Sequence, residues 1–311
     1  MKLKLVSIFS LVFFSVILFT ACKKDDSSSN NNGENDVVAT AVSDESQVTS
    51  EMDQIALDAG TAIEFEGTFS GNNGVLDQII CDATVEYSTS TNPMTVTITY
   101  NGSNCGYGRT RTGSIVLSMI QGTEWKNAGS SFTVTFNDLK ITKTATNKSI
   151  TITGTHTVTN VSGGLLIHLP TEGPITHTIT SENMKVSFDN GTARNWNVAK
   201  QRVYTYNNGA VLTITGTHVE GDVTGIAEWG TNRAGVAFTT STVTPVIVKQ
   251  SCNFRVTGGA VKHSTEAFSA VATFGLNQGG EVIECPGTGK YYYKLVWTGQ
   301  NGNSLSVILP Y

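Results

Sequence analysis

From about Glu64 onward the chain alternates apolar and hydroxyl-bearing residues with period two, and this restricts its fold more than any other feature. Thr95-Val96-Thr97-Ile98-Thr99-Tyr100 and Phe132-Thr133-Val134-Thr135-Phe136 are two instances; Ser149 to Thr159 and Val211 to Val219 are two more. Successive side chains of a strand point to opposite faces, so Ile and Val collect on one face and Thr on the other. Threonine is stiff at its branched Cβ and suits a pleated surface. A sheet with one wet face is antiparallel as a rule, because parallel strands are covered on both sides. With 44 threonines, the wet face needs little charge, and only 14% of residues are charged.

Turn signals punctuate the strands: Asn72-Asn73-Gly74, Asn101-Gly102, Asp189-Asn190-Gly191, Asn207-Asn208-Gly209 and Asn301-Gly302. Asn and Gly tolerate the positive φ of tight hairpins. Pro93 and Pro245 are expected at strand starts or edges, where a missing N–H does little harm. Tyr291 to Thr298 and Leu305 to Pro310 read as a closing hairpin. The expectation is an all-β fold: one antiparallel domain over 61–311, a meander forming a sandwich or open barrel. Thr151 to His156 recurs as Thr213 to His218, one six-residue repeat and too little for a solenoid.

One helix is expected, the acidic segment 43–60, where Val48, Met52, Ile55 and Ala59 recur at helical spacing and Gly60 offers a stop. Its apolar face is thin, so it must dock or fray. The first 21 residues form an export signal: Lys2 and Lys4, then an apolar run too short for a comfortable membrane span. Cys22 follows directly, as in a lipobox, and 22–42 is read as a flexible tether, of which residues 23–36 contain no apolar residue that could form a core. From Cys22 to Gly108 there are 14 acidic and 2 basic residues, and from Arg109 onward 11 acidic and 16 basic. Either the acidic segment packs on a mildly basic body, or it keeps a tethered protein soluble. The second, simpler reading is preferred here. The overall acidity argues against nucleic acid as a partner.

Four further cysteines, Cys81, Cys105, Cys252 and Cys285, suit two disulfides in an exported protein, with local pairing favoured. Their spacing suits no metal site. His156 and His218 are read as half-buried strand histidines near a sheet margin, and His168 and His177 as loop residues. No Gly-x-Ser-x-Gly elbow or phosphate loop occurs, and Glu220, Asp222, Glu228, Glu281 and Glu284 are read as solvated charges rather than an acid pair. No catalytic residue or cofactor is nominated. Candidate binding residues are Trp125, Trp196, Trp229 and Tyr292, which could stack on sugars. Arg109, Arg111, Lys200 and Arg202 join them as two same-face pairs that would make a basic stripe if brought together.

Phe19-Thr20-Ala21-Cys22, the following Lys23-Lys24-Asp25-Asp26 and the Ser/Asn tether resemble a family of bacterial surface or outer-membrane lipoproteins of uncharacterised activity with Thr-rich all-β bodies. Cys81 to Tyr100, Cys105 to Ile115 and Ser251 to Gly258 share that style. The resemblance implies export, lipidation of Cys22 and attachment to the bacterial outer membrane, on its periplasmic or exposed side. The function expected is non-catalytic, binding or structural, with an envelope glycan or protein as partner; a carbohydrate-binding accessory role is the alternative, and a hydrolase ranks below it.

Overall fold

A computed structural model describes residues 48–49, 51–52, 54–56, 58–64, 80–105, 108–285, 289–299 and 301–311. The signal 1–21, the tether 22–42 with Cys22 and the start of the acidic helix lie outside them. The chain is mostly β-strand, with a helix at its N-terminal side, α1, within 48–64. The first seven strands are β1 (Ala83–Ser88), β2 (Met94–Asn101), β3 (Arg109–Met119), β4 (Ser130–Lys143), β5 (Ser149–Asn160), β6 (Ile175–Phe188) and β7 (Ala193–Tyr206). Then come β8 (Ala210–Gly216), β9 (His218–Glu220), β10 (Val223–Thr231), β11 (Ala237–Lys249), β12 (Arg255–Thr265), β13 (Phe268–Leu276), β14 (Tyr292–Gly299) and β15 (Ser304–Pro310). All pair antiparallel in one meandering sheet.

The meander is interrupted once. Lys200 to Tyr206 of β7 pair with β8, and Asn195 to Val198 pair with β10. On the other side β11 pairs with β10 through Ala237 to Ser241 and with β8 through Val246 to Lys249. β8 and β10 thus share one strand position, closing a small ring of pairings with β7 and β11. Pro245 falls where β11 changes partner, a place that needs no ladder N–H. Between β8 and β10 the chain leaves the sheet as a small hairpin whose two ends meet. A Cβ on Gly216 would lie 2.1 Å from the carbonyl oxygen of Gly225, a backbone atom that cannot swing away. Gly216→Ala is expected to cost about 1–3 kcal/mol by overpacking. Gly60→Ala, where nothing lies within 4 Å, is expected to stabilise α1 by about 0.5–1 kcal/mol. Urea midpoints check both, and an unchanged midpoint for Gly216→Ala would contradict the pinch. The repeated hexapeptide has its explanation here. In both copies glycine marks a break: β5 shifts register between Thr153 and His156, and β8 ends at Gly216.

Similar shifts occur in every ladder from β3 to β7, at Thr112/Ser114, Phe136/Leu139, Thr153/His156 and Ser181/Met184. Gly113, Asp138, Gly154 and Asn183 hold positive φ there. Each bulge bends its strand, and a line of them curls the sheet. The inner face of the curl carries the core: Ile98, Ile115, Leu117, Phe132, Val134, Ile141, Ile152 and Trp196 are buried, together with Val48, Met52, Ile55, Ala59 and Ala62 of α1. The intervening hydroxyl residues face outward, as the alternation requires.

α1 corrects one boundary: it continues through Gly60 to residue 64. Ala62 and Ile63 are buried against the sheet, and this packing outweighs glycine's weak helix propensity. Both local disulfides are present, Cys81–Cys105 and Cys252–Cys285. Loops of this length suit a stabilisation of about 3 kcal/mol each.

Candidate functional site

The polar groups of the inner face gather where α1 crosses the strands. Arg111 of β3, 2% exposed, forms their first centre. Its Nε and Nη2 donate to the two carboxylate oxygens of Asp82 at 2.7 and 2.5 Å, and Nη1 donates to Asp58 of α1 at 2.7 Å. Tyr100 Oη donates to the same Asp58 oxygen at 3.1 Å, and its ring centroid lies 4.2 Å from the guanidinium carbon. Gln54 donates to the other Asp58 oxygen at 3.2 Å. Burial, with the Asp58 carboxylate adding to it, holds the Tyr100 phenol protonated well above its usual pKa. About two turns before Asp58, Glu51 meets Arg109 at 2.8 Å. Burial raises the Glu51 pKa, while Arg109, Arg111 and Lys143 pull it down.

Glu228 of β10, 2% exposed, is the second centre. It accepts a short hydrogen bond from Lys200 Nζ, one from Trp196 Nε1 at 2.8 Å and one from Thr49 of α1 at 3.2 Å. Beside it Met52 and Ala56 of α1 roof a cavity of about 20 Å³, floored by His156, Ile179, Trp196, Val198, Lys200 and Arg202. That is room for about one water. Neither ring nitrogen of His156 has a hydrogen-bond partner among the described residues, and the side chain is 2% exposed. Burial, then the nearby Arg202 charge, pushes its pKa down to about 3. The same two causes push His177 down to about 4. His263 is pushed down to about 4 by burial and Arg194, against an opposing pull from Glu228.

This arrangement is a clamp. Its carboxylates are engaged by cations or hydrogen-bond donors. Its histidines are neutral, with pKa values well below those of a general base poised near pH 7. Two corrections follow. The acidic segment is not merely a solubilising tether, since Glu51 and Asp58 of α1 dock on arginines of the β-body. Nor do Arg109, Arg111, Lys200 and Arg202 form an exposed stripe. They point inward beneath α1, and the pairs lie four strand positions apart, roughly 19 Å by the usual strand spacing.

Of the nominated aromatics, Trp125 and Trp196 are buried. Trp125 meets Phe132 and His177 edge-on. Trp229 is half-buried and stacks on His218 at 3.9 Å, in the excursion hairpin and its base. Tyr292 is half-buried, whereas its neighbours Tyr291 and Tyr293 both meet Tyr311. His156 is not marginal but fully buried, and His177 lies inside β6 rather than a loop. Glu228 is buried against Lys200, not solvated, while Glu220 and Asp222 stand exposed at the hairpin tip. The clamp carboxylates Glu51, Asp58 and Asp82 escaped the sequence reading. A usable signal existed: Glu51 and Asp58 are seven apart and flank Ile55 on the apolar face of the helix. No family model, curated protein or solved structure matches the chain.

Proposed function

We propose that the chain is an exported lipoprotein, anchored to the bacterial outer membrane through Cys22, whose β-body binds or supports an envelope component and performs no catalysis. The anchor rests on the apolar run ending at Thr20-Ala21-Cys22 and on the polar tether that follows. Two or more lipid chains on Cys22 would hold the protein stably at a bilayer. The observation that carries the non-catalytic part is the clamp. The buried polar groups fasten α1, the segment nearest the tether, to strands β3 and β10, and Lys200 of β7 holds Glu228 of β10 in turn. This suits a body that keeps its shape while held at a surface.

Labelling cells with a clickable fatty acid tests the anchor. The full chain is expected to label and to fractionate with membranes, and Cys22→Ala to lose both properties. Persistent labelling of Cys22→Ala would refute lipidation at this cysteine.

A further inference from the structure

β15 ends the sheet. It pairs with β14 on one side, and no described element runs along the other. Alternate backbone N–H and C=O groups of an edge strand point outward with no ladder to join. Proteins usually blunt such an edge with charge, a bulge or very short length. The opposite edge, β1, has six residues, carries Glu86 and follows directly on the Cys81–Cys105 disulfide. β15 has one comparable defence, Pro310 at its last position, whose ring carries no N–H. Ser304–Pro310 contains no charged residue, and its seven pairings to β14 run without a register shift.

Its side chains are equally unfinished. Leu305 is 60% exposed and Val307 36%. By register they neighbour Trp297 and Leu295, which pack on the small separate core of Phe268 and Ala270. The helix that covers the first half of the sheet belongs to a different core. A helix or small ligand could cover the apolar row but would leave the edge backbone unpaired. An extended strand with alternating apolar residues satisfies both demands.

We propose that a second copy of this chain supplies that strand, two β15 edges pairing antiparallel about a twofold axis. Antiparallel pairing maps the strand onto itself under twofold rotation, so one sequence serves both sides of the contact. The chain carries a net charge of −5, yet none of it lies on this strand, so the two edges meet without local repulsion. Leu305 and Val307 of each copy then come beside those of the other.

The test uses the full chain in cells, with a photoreactive residue at Ser306, followed by sedimentation of the detergent-purified protein. The expected adduct has twice the mass of the single chain, with β15 joined to β15 on peptide mapping. Val307→Lys and, at the more exposed position, Leu305→Lys are expected to reduce it at least tenfold while far-UV circular dichroism and both disulfides are retained. A chain that sediments as a monomer and gives no adduct overturns the proposal. So does an adduct to a different protein, or a dimer indifferent to both folded lysine variants.

Discussion

Arg111→Met is expected to destabilise the protein by about 3–5 kcal/mol, because it strands two buried carboxylates rather than because it removes an attraction. Asp58 and Asp82 both lose their cation, at 2.7 and 2.5 Å in the native protein. Two further results distinguish this cause from lost packing. The deficit should shrink as pH is lowered, since an orphaned carboxylate can take up a proton. Replacing all three members with apolar residues of similar volume should recover most of the loss. Urea unfolding of the single and triple variants at two pH values measures both. A single variant within 1 kcal/mol of the parent would show that the clamp contributes little.

Acidification to pH 5 is expected to cost about 2 kcal/mol for each of the three buried histidines, His156, His177 and His263. Their folded pKa values, about 3, 4 and 4, lie below the ordinary 6.5. The unfolded chain therefore binds more protons over this interval. The stability they confer is complete above pH 6.5 and is lost as pH falls toward the folded values. Glu64 acts in the opposite sense. Burial raises its pKa to about 6, so protonation favours the folded state there and offsets part of the loss. Unfolding free energy measured from pH 7.5 to 5 should fall steeply. His156→Leu should flatten the slope by roughly one proton's worth. A profile flat over that interval would contradict the burial of these imidazoles.

Strands, their faces and both disulfides were legible because each is a local property. Alternation at Thr95–Tyr100 assigns inside and outside without knowledge of any other strand. Cys81 and Cys105 bracket the first hairpin, so their pairing needs little more than proximity in the chain. The bulges were not legible, because nothing local to Asp138 or Asn183, which lie inside β4 and β6, marks a shift of the ladder. What makes them bulges is the unbroken ladder on both sides, a long-range fact. The inner-face arginines failed for the same reason. Spacing shows that Arg109 and Arg111 share a face, but whether that face meets water or Glu51 and Asp58 depends on where α1 docks. The end of α1 at residue 64 likewise depends on the sheet beneath Ala62 and Ile63.

The placement of α1 also sets an order of assembly. Almost every ladder of the sheet joins strands adjacent in the chain, so the meander can be built hairpin by hairpin over short loop closures. The helix differs. Asp58 and Arg111 are 53 residues apart, and Thr49 and Glu228 are 179 apart. Contacts of such separation form late, after the strands that supply them are in register. The segment that leaves the ribosome before the sheet is therefore the last to seat. Until β10 is in place, the acidic helix and the basic face made for it remain strangers in the same chain.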